Sequence, residues 1–198
     1  MSGLIDKFLA IFERSGFFLF MREAMQNPAN IGAVLPSSKV LAAQVADQVS
    51  HAPPGFIVEL GAGTGIITDA LLKQGIPSQQ IIVIERVEKL ATHLQQRYPT
   101  LRVIQGDASR LSELLGEDAK KVSTIVSSLP LRSLPPKTVI AIRDQFKQIL
   151  KPKSKLIQFT YSFRKHDPVL SSGFRRIYSK RVWINIPPAR IDIFEREI

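Results

Sequence analysis

An α/β domain on a mainly parallel sheet, closed by an antiparallel hairpin, is the fold class the sequence predicts. Three observations carry it. Short apolar runs at 56–60, 81–85 and 101–105 alternate with helical patterns, the signature of β-α-β units. The first run breaks into a glycine turn, Gly61-Ala62-Gly63-Thr64-Gly65, that opens a helix. Two strand-like runs near the carboxyl end, 175–186 and 189–195, meet at Pro187-Pro188 and read as a hairpin.

In chain order, residues 1–26 are rich in apolar side chains. Leu4, Ile5, Phe8, Leu9 and Phe12 form one helical stripe, with Asp6, Lys7, Glu13 and Arg14 off it. The apolar run that follows, Phe17 to Met21, is too short to span a bilayer and precedes no cleavage site. The stripe is expected either to lie on a membrane surface or to fold back over the domain. Residues 27–36 form a breaker-rich connector, so 1–36 is read as an N-terminal amphipathic segment and 37–198 as the main domain. Ser37 or Ser38 can cap a helix reaching about Val49, with Val40, Leu41, Val45 and Val49 inward.

The strand Phe56 to Leu60 comes next, then helices from Ile66 to Lys73 and from Val87 to Tyr98 around the strand Ile81 to Glu85. A short helix, Ser109 to Leu115, precedes a fourth strand, Val122 to Val126, which runs into Ser127-Ser128-Leu129-Pro130-Leu131. Pro135-Pro136 starts a helix that is apolar at Val139, Ile142, Phe146 and Ile149, and Leu156 to Tyr161 is the fifth strand.

The chemistry follows from the strand ends. Glycines at 61 and 63 remove Cβ atoms that would hold a ligand off the backbone. A dinucleotide fingerprint needs its third glycine at position 66, where this chain has Ile66. Glu59 would repel a pyrophosphate and attract the ammonium of a methionine moiety. The expected cofactor is therefore S-adenosyl-L-methionine rather than NAD. Glu85 lies twenty residues after Gly65, the distance of a ribose-binding acid, and Asp107 closes the third strand. In a parallel sheet these three acids share one edge, where ligands bind. Arg86, Ala108 and Ser127 adjoin them and complete the expected cofactor-binding set with Ala62, Thr64 and Gly65.

Composition excludes several classes. The chain has 198 residues and no cysteine, so disulfides, thiolate metal sites and cysteine nucleophiles are absent. The three histidines, His51, His93 and His166, lack metal-ligand spacing. The net charge of +10 is unevenly spread, since residues 137–198 hold 14 Lys and Arg against 5 Asp and Glu. A polyanion or an anionic membrane surface is the natural partner for that third; solvated surface charge is the plainer alternative.

Taken together, Glu59-Leu60-Gly61-Ala62-Gly63-Thr64-Gly65, Gly106-Asp107-Ala108, Ser127-Ser128-Leu129-Pro130-Leu131, Gln158-Phe159-Thr160-Tyr161 and Asn185-Ile186-Pro187-Pro188-Ala189-Arg190 resemble bacterial phospholipid N-methyltransferases. So does Ile31-Gly32-Ala33-Val34-Leu35-Pro36-Ser37-Ser38. The likeness spans nearly the whole chain. It implies a Rossmann-like, seven-stranded methyltransferase fold, a phosphatidylethanolamine or related amine-lipid acceptor, and a cytoplasmic enzyme docked on the inner membrane face through its N-terminal helix. The helix here is less basic than that family leads one to expect.

Such a reaction requires an amine lone pair aligned behind the sulfonium methyl, with loss of its proton and exclusion of water. Ser128 and the Leu129 carbonyl are the expected amine-orienting groups, with Pro130 restricting the backbone. Tyr161, at the end of the fifth strand, offers a ring face or a proton acceptor, and His166 is an outside candidate for general base. Arg132 and Arg190 are expected at the lipid phosphate, or else as surface charges. The chief rival is a ribosomal RNA adenine dimethyltransferase, whose core is also similar. Ser128 stands where that class carries Asn and Leu131 where it carries an aromatic, and no helical RNA-binding domain is expected after the hairpin. The basic final third favours RNA. A binding module without turnover is the remaining class.

Overall fold

The computed structural model describes residues 36–132, 134–160, 173–183 and 189–197, with 36–38 as backbone only. The expected amphipathic segment therefore lies outside the described residues, apart from Pro36, which opens the first helix. Tyr161, His166 and the Pro187-Pro188 corner lie outside them too.

The elements are α1 (Pro36–Ser50), β1 (Phe56–Leu60), α2 (Ile66–Lys73), β2 (Ile81–Glu85), α3 (Glu88–Arg97), β3 (Arg102–Gln105), α4 (Leu111–Leu115), β4 (Val122–Ser127), α5 (Pro136–Ile149), β5 (Lys155–Thr160), β6 (Phe174–Val182) and β7 (Ala189–Arg196). Among the described residues seven strands form one sheet, in the order β3-β2-β1-β4-β5-β7-β6. The first five are parallel, and β7 pairs antiparallel with both β5 and β6. The predicted α/β class, the seven strands and the closing hairpin are all present. Because β7 inserts between β5 and β6, the final strand in sequence is internal and β6 is left at the edge.

Apolar periodicity explains the layering. β1, β2 and β4 are buried on both faces, as expected for strands covered by helices on each side. One core joins Leu41, Val45 and Val49 of α1 and Leu71 of α2 to Ile57, Ile81 and Ile191. The opposite core joins Val139, Ile142, Phe146 and Ile149 of α5 to Val58, Ile82 and Leu156. The four apolar positions read for α5 are all buried, whereas in α1 the inner face is Leu41, Ala42, Val45, Ala46 and Val49, with Val40 only half-buried. Among the described residues no helix is long and apolar enough to cross a membrane.

The register fixes what meets at the ligand edge. Leu60 lies level with Ile84 and Ser127, Ser127 with Gln158, Gln158 with Asp192, and Asp192 with Ser179. A polar row thus crosses β4, β5, β7 and β6 level with the carboxyl ends of β1 and β4.

Candidate active site

The turn after β1 is held by three glycines at positive φ, +69° at Gly61, +59° at Gly63 and +85° at Gly65. Space around them differs. A Cβ on Gly65 would lie 2.9 Å from Leu94 and Tyr98, so this glycine permits the close approach of α3. A Cβ on Gly63 would meet nothing within 4 Å, so this glycine faces open space. The same substitution should therefore separate two roles. Gly65→Ala should lose about 2 kcal/mol or more of stability through left-handed strain and overlap. Gly63→Ala should lose only about 1 kcal/mol yet weaken ligand binding. Thermal unfolding and calorimetric titration on both variants check this.

Glu85 ties the turn to β2. Its Oε2 accepts from the Gly63 N–H at 3.0 Å and its Oε1 from the Val87 N–H at 2.9 Å. Each oxygen keeps a lone pair, so the carboxylate can also receive ligand hydroxyls. From outside, Arg97 at the end of α3 and Tyr98 just after it brace the same turn. The Tyr98 hydroxyl lies 2.7 Å from Asp69 and 3.1 Å from the Gly65 carbonyl, and Arg97 donates to the Thr64 carbonyl at 2.9 Å and to Asp69. Sequence reading missed this brace; contacts across some thirty residues leave no local pattern.

Glu59 is fully buried. Its Oε2 accepts from the Thr68 hydroxyl at 2.7 Å, and its Oε1 has no partner among the described residues. Burial pushes its carboxyl up to about 7, with the Thr68 hydrogen bonds opposing and the nearby Glu85 and Asp69 charges adding. A cationic ligand end is the missing partner such a group calls for. Asp107 is half-buried and follows β3. Burial works to raise its carboxyl, but hydrogen bonds from Ser109 and the charges of Arg86 and Arg110 hold it below the ordinary carboxylate value. Its Oδ1 accepts from the Ser109 N–H at 2.8 Å, and Arg86 stands 3.9 Å from Oδ2. An adenosyl ligand with a cationic methionine end fits this set on two counts, the orphaned oxygen of Glu59 and the open face of Gly63.

On the acceptor side, the Ser128 N–H donates to the Leu60 carbonyl at 3.0 Å, which docks the loop beside the glycine turn. A Cβ on Gly61 would sit 3.0 Å from the Leu129 side chain, so turn and loop are in contact. Ser127 is buried, and its hydroxyl lies 3.4 Å from the Leu129 N–H. The expectation for the Leu129 carbonyl needs correction. It already accepts from the Leu131 N–H at 2.9 Å and from Gln158 Nε2 at 3.1 Å, which occupies both lone pairs. Gln158 itself is a residue the sequence did not single out for a role. It is buried, its Nε2 also donates to the Phe159 carbonyl at 2.8 Å, and its Oε1 has no partner among the described residues.

The two arginines expected at the headgroup differ. Arg132 is exposed just beyond the loop. Arg190 is buried, with its Nε donating to Asp192 at 2.7 Å, and Asp192 also takes the Ser179 hydroxyl at 2.6 Å. Its fork is thus partly committed within the sheet instead of lying open on the surface. Among the described residues no cluster of His, Cys, Asp and Glu could hold a metal ion.

Comparison with known proteins shows what this chain is similar to. Residues 57–153 match the family model described as methyltransferase domain. The ornithine lipid N-methyltransferase of Singulisphaera acidiphila is 28% identical over 181 residues, covering 87% of this chain and 92% of that protein. Ribosomal RNA small subunit methyltransferase A of Dehalococcoides mccartyi is 32% identical over 110 residues, 53% of this chain and 35% of its own length, so the match spans about a third of that relative. Among solved structures, the N-methyltransferase NodS of Bradyrhizobium japonicum, in complex with S-adenosyl-L-homocysteine, superposes with a TM-score of 0.68 at 13% identity, covering 91% of this chain and 98% of NodS. The Burkholderia thailandensis 1,6-didemethyltoxoflavin-N1-methyltransferase gives 0.67 at 16% identity, covering 98% of this chain and 91% of that one. These structural likenesses establish the Rossmann-like methyltransferase fold.

Proposed function

We propose, from the premise that this chain is an S-adenosylmethionine-dependent methyltransferase, that it N-methylates the amine of a membrane lipid. The single observation that carries the reading is the contact between the glycine turn and the 127–131 loop, next to the buried Oε1 of Gln158, which has no partner among the described residues. The near full-length likeness to a lipid N-methyltransferase supports the same acceptor class. Phosphatidylethanolamine and ornithine lipid share the relevant chemistry, a primary amine at the bilayer surface.

Glu59, Glu85 and the bare backbone of Gly61 and Gly63 would hold the cofactor, with Asp107 at the far end of the row. S-adenosylmethionine supplies, when bound, an electrophilic methyl group. The chain's part is to orient and to exclude water. Gln158 Oε1 accepts an N–H from the deprotonated acceptor amine and so orients its one lone pair. Ser128 flanks that position on the loop, and Pro130 stiffens it. Arg132 is exposed where a lipid phosphate can reach it, and Tyr161, next after β5, remains the candidate ring for the amine.

Glu59 makes cofactor binding pH-dependent. A cation beside it favours the carboxylate, so at pH 6 to 7 binding should release a proton and affinity should rise with pH. Without ligand, the folded value of about 7 lies above the ordinary 4.5, so the folded chain holds more protons than the unfolded chain between them. Ligand-free stability should therefore fall as pH rises through that window, by about 3 kcal/mol. Calorimetry in buffers of different ionisation enthalpy reads the proton release, and Glu59→Gln should remove it.

Methyl transfer from labelled cofactor to vesicles of phosphatidylethanolamine or ornithine lipid tests the function. The expected product carries one or more extra methyl groups on the headgroup nitrogen, and N-acetylated versions of the same lipids should take none. Labelling of the N-acetylated lipids would contradict amine methylation.

A further inference from the structure

We propose that the outermost strand of the described sheet, β6 with Trp183 at its end, is a docking surface for an anionic lipid bilayer. The inference rests on the lipid-amine reading above and names the surface that brings the site to its substrate. Three features of β6 support it. Seven of its nine residues are exposed. They include Arg175, Arg176, Lys180 and Arg181, and the strand holds no acidic residue. Three of the four exposed large hydrophobic residues among those described lie here, Ile177, Tyr178 and Trp183, the last 63% exposed.

Edge strands often carry Lys and Arg merely to block pairing with another sheet. That accounts for the cations but leaves exposed aromatics among them unexplained. Trp and Tyr favour the headgroup level of a bilayer, and each nearby Lys or Arg strengthens attraction to an anionic leaflet about fivefold. Acids on β7 offset part of the charge, since Arg175 pairs with Glu195 at 2.9 Å and Arg176 with Asp192 at 3.7 Å. Setting aside the buried pair Arg190 and Asp192, the two strands carry five basic residues and one acidic one. The Arg181 guanidinium lies 5.5 Å from the centre of the Trp183 ring, so cation and aromatic form one surface.

Direction makes the placement useful. β6 runs antiparallel to β7, which runs antiparallel to β5, so β6 points the same way as the parallel strands. Arg181 and Thr160 are both level with Arg190. Trp183 therefore emerges at the same sheet edge as the glycine turn and the acceptor loop, and a bilayer seated there meets the mouth of the site.

Trp183 is the sole tryptophan, so intrinsic fluorescence reports this one point. Full-length protein is titrated with vesicles of phosphatidylcholine alone and of phosphatidylcholine mixed with phosphatidylglycerol. Emission should move to shorter wavelength with the anionic vesicles only, and return as salt rises to about 0.5 M. Lys180→Glu combined with Arg181→Glu should weaken vesicle partitioning at least ~10-fold, with unfolding temperature and cofactor affinity as controls for folding. Sedimentation with anionic vesicles while Trp183 emission stays fixed would place docking elsewhere and overturn the proposal, leaving lipid methylation intact. A shift produced by ribosomal RNA but not by vesicles, or by protein concentration alone, would likewise overturn it in favour of an RNA or a second copy. Failure to methylate any amine lipid, in detergent as well as in vesicles, would instead defeat the functional reading.

Discussion

Replacing Glu85 with alanine is expected to raise the cofactor dissociation constant at least ~100-fold, a loss of about 2.7 kcal/mol. Both carboxylate oxygens are in use, one on the Gly63 N–H and one on the Val87 N–H. Alanine frees the glycine turn from β2 and leaves two part-buried donors unpaired, at about 1–3 kcal/mol each. Binding declines because the ligand loses its acceptor and the turn loses its fixed shape. Glu85→Gln keeps an acceptor oxygen on one side and sets an amide NH2 against a backbone N–H on the other, so its loss should be intermediate. Calorimetric titration with S-adenosyl-L-homocysteine measures both variants. Vesicle association should be unchanged, because β6 lies at the opposite end of the sheet from β2.

Gln158→Leu should act on the other half of the reaction. Leucine keeps the volume but removes the Nε2 hydrogen bonds to the Leu129 and Phe159 carbonyls and the acceptor Oε1, which has no partner among the described residues. The loop then loses the strut fixing it to β5, and the acceptor amine loses the group that aims it. Turnover should fall about 10²-fold or more, while cofactor affinity changes no more than about threefold. A parallel fall in cofactor affinity would mark Gln158 as a support of the whole edge. Steady-state methyl transfer together with cofactor titration separates the two outcomes.

The sequence exposed what is local. Glu59, the glycine turn, Glu85 and Asp107 could be read because strand ends and spacings are written in consecutive residues, and the structure brings them to one sheet edge. What stayed hidden depends on register and long-range contact. Thr68 bonds Glu59 because α2 packs back over β1, and Gln158 reaches the Leu129 carbonyl because β5 lies level with β4 at Ser127. That neighbour fills the carbonyl chosen from sequence to face the amine. The sequence points Arg190 to a lipid phosphate, or else to the surface, because the position of β7 in the sheet is not written in consecutive residues. With β7 between β5 and β6, the side chain turns to buried Asp192. The same insertion leaves the basic, aromatic strand β6 at the edge, and it carries four of the 14 basic residues of 137–198.

A one-pot competition tests the central claim most directly. Protein and radiolabelled S-adenosylmethionine are mixed with anionic vesicles containing phosphatidylethanolamine and ornithine lipid together with ribosomal RNA, and the label is partitioned between organic and aqueous phases. Label is expected in the organic phase, on headgroup nitrogen, and should be lost with Gln158→Leu. Label confined to the RNA, with none on either lipid, would contradict the claim.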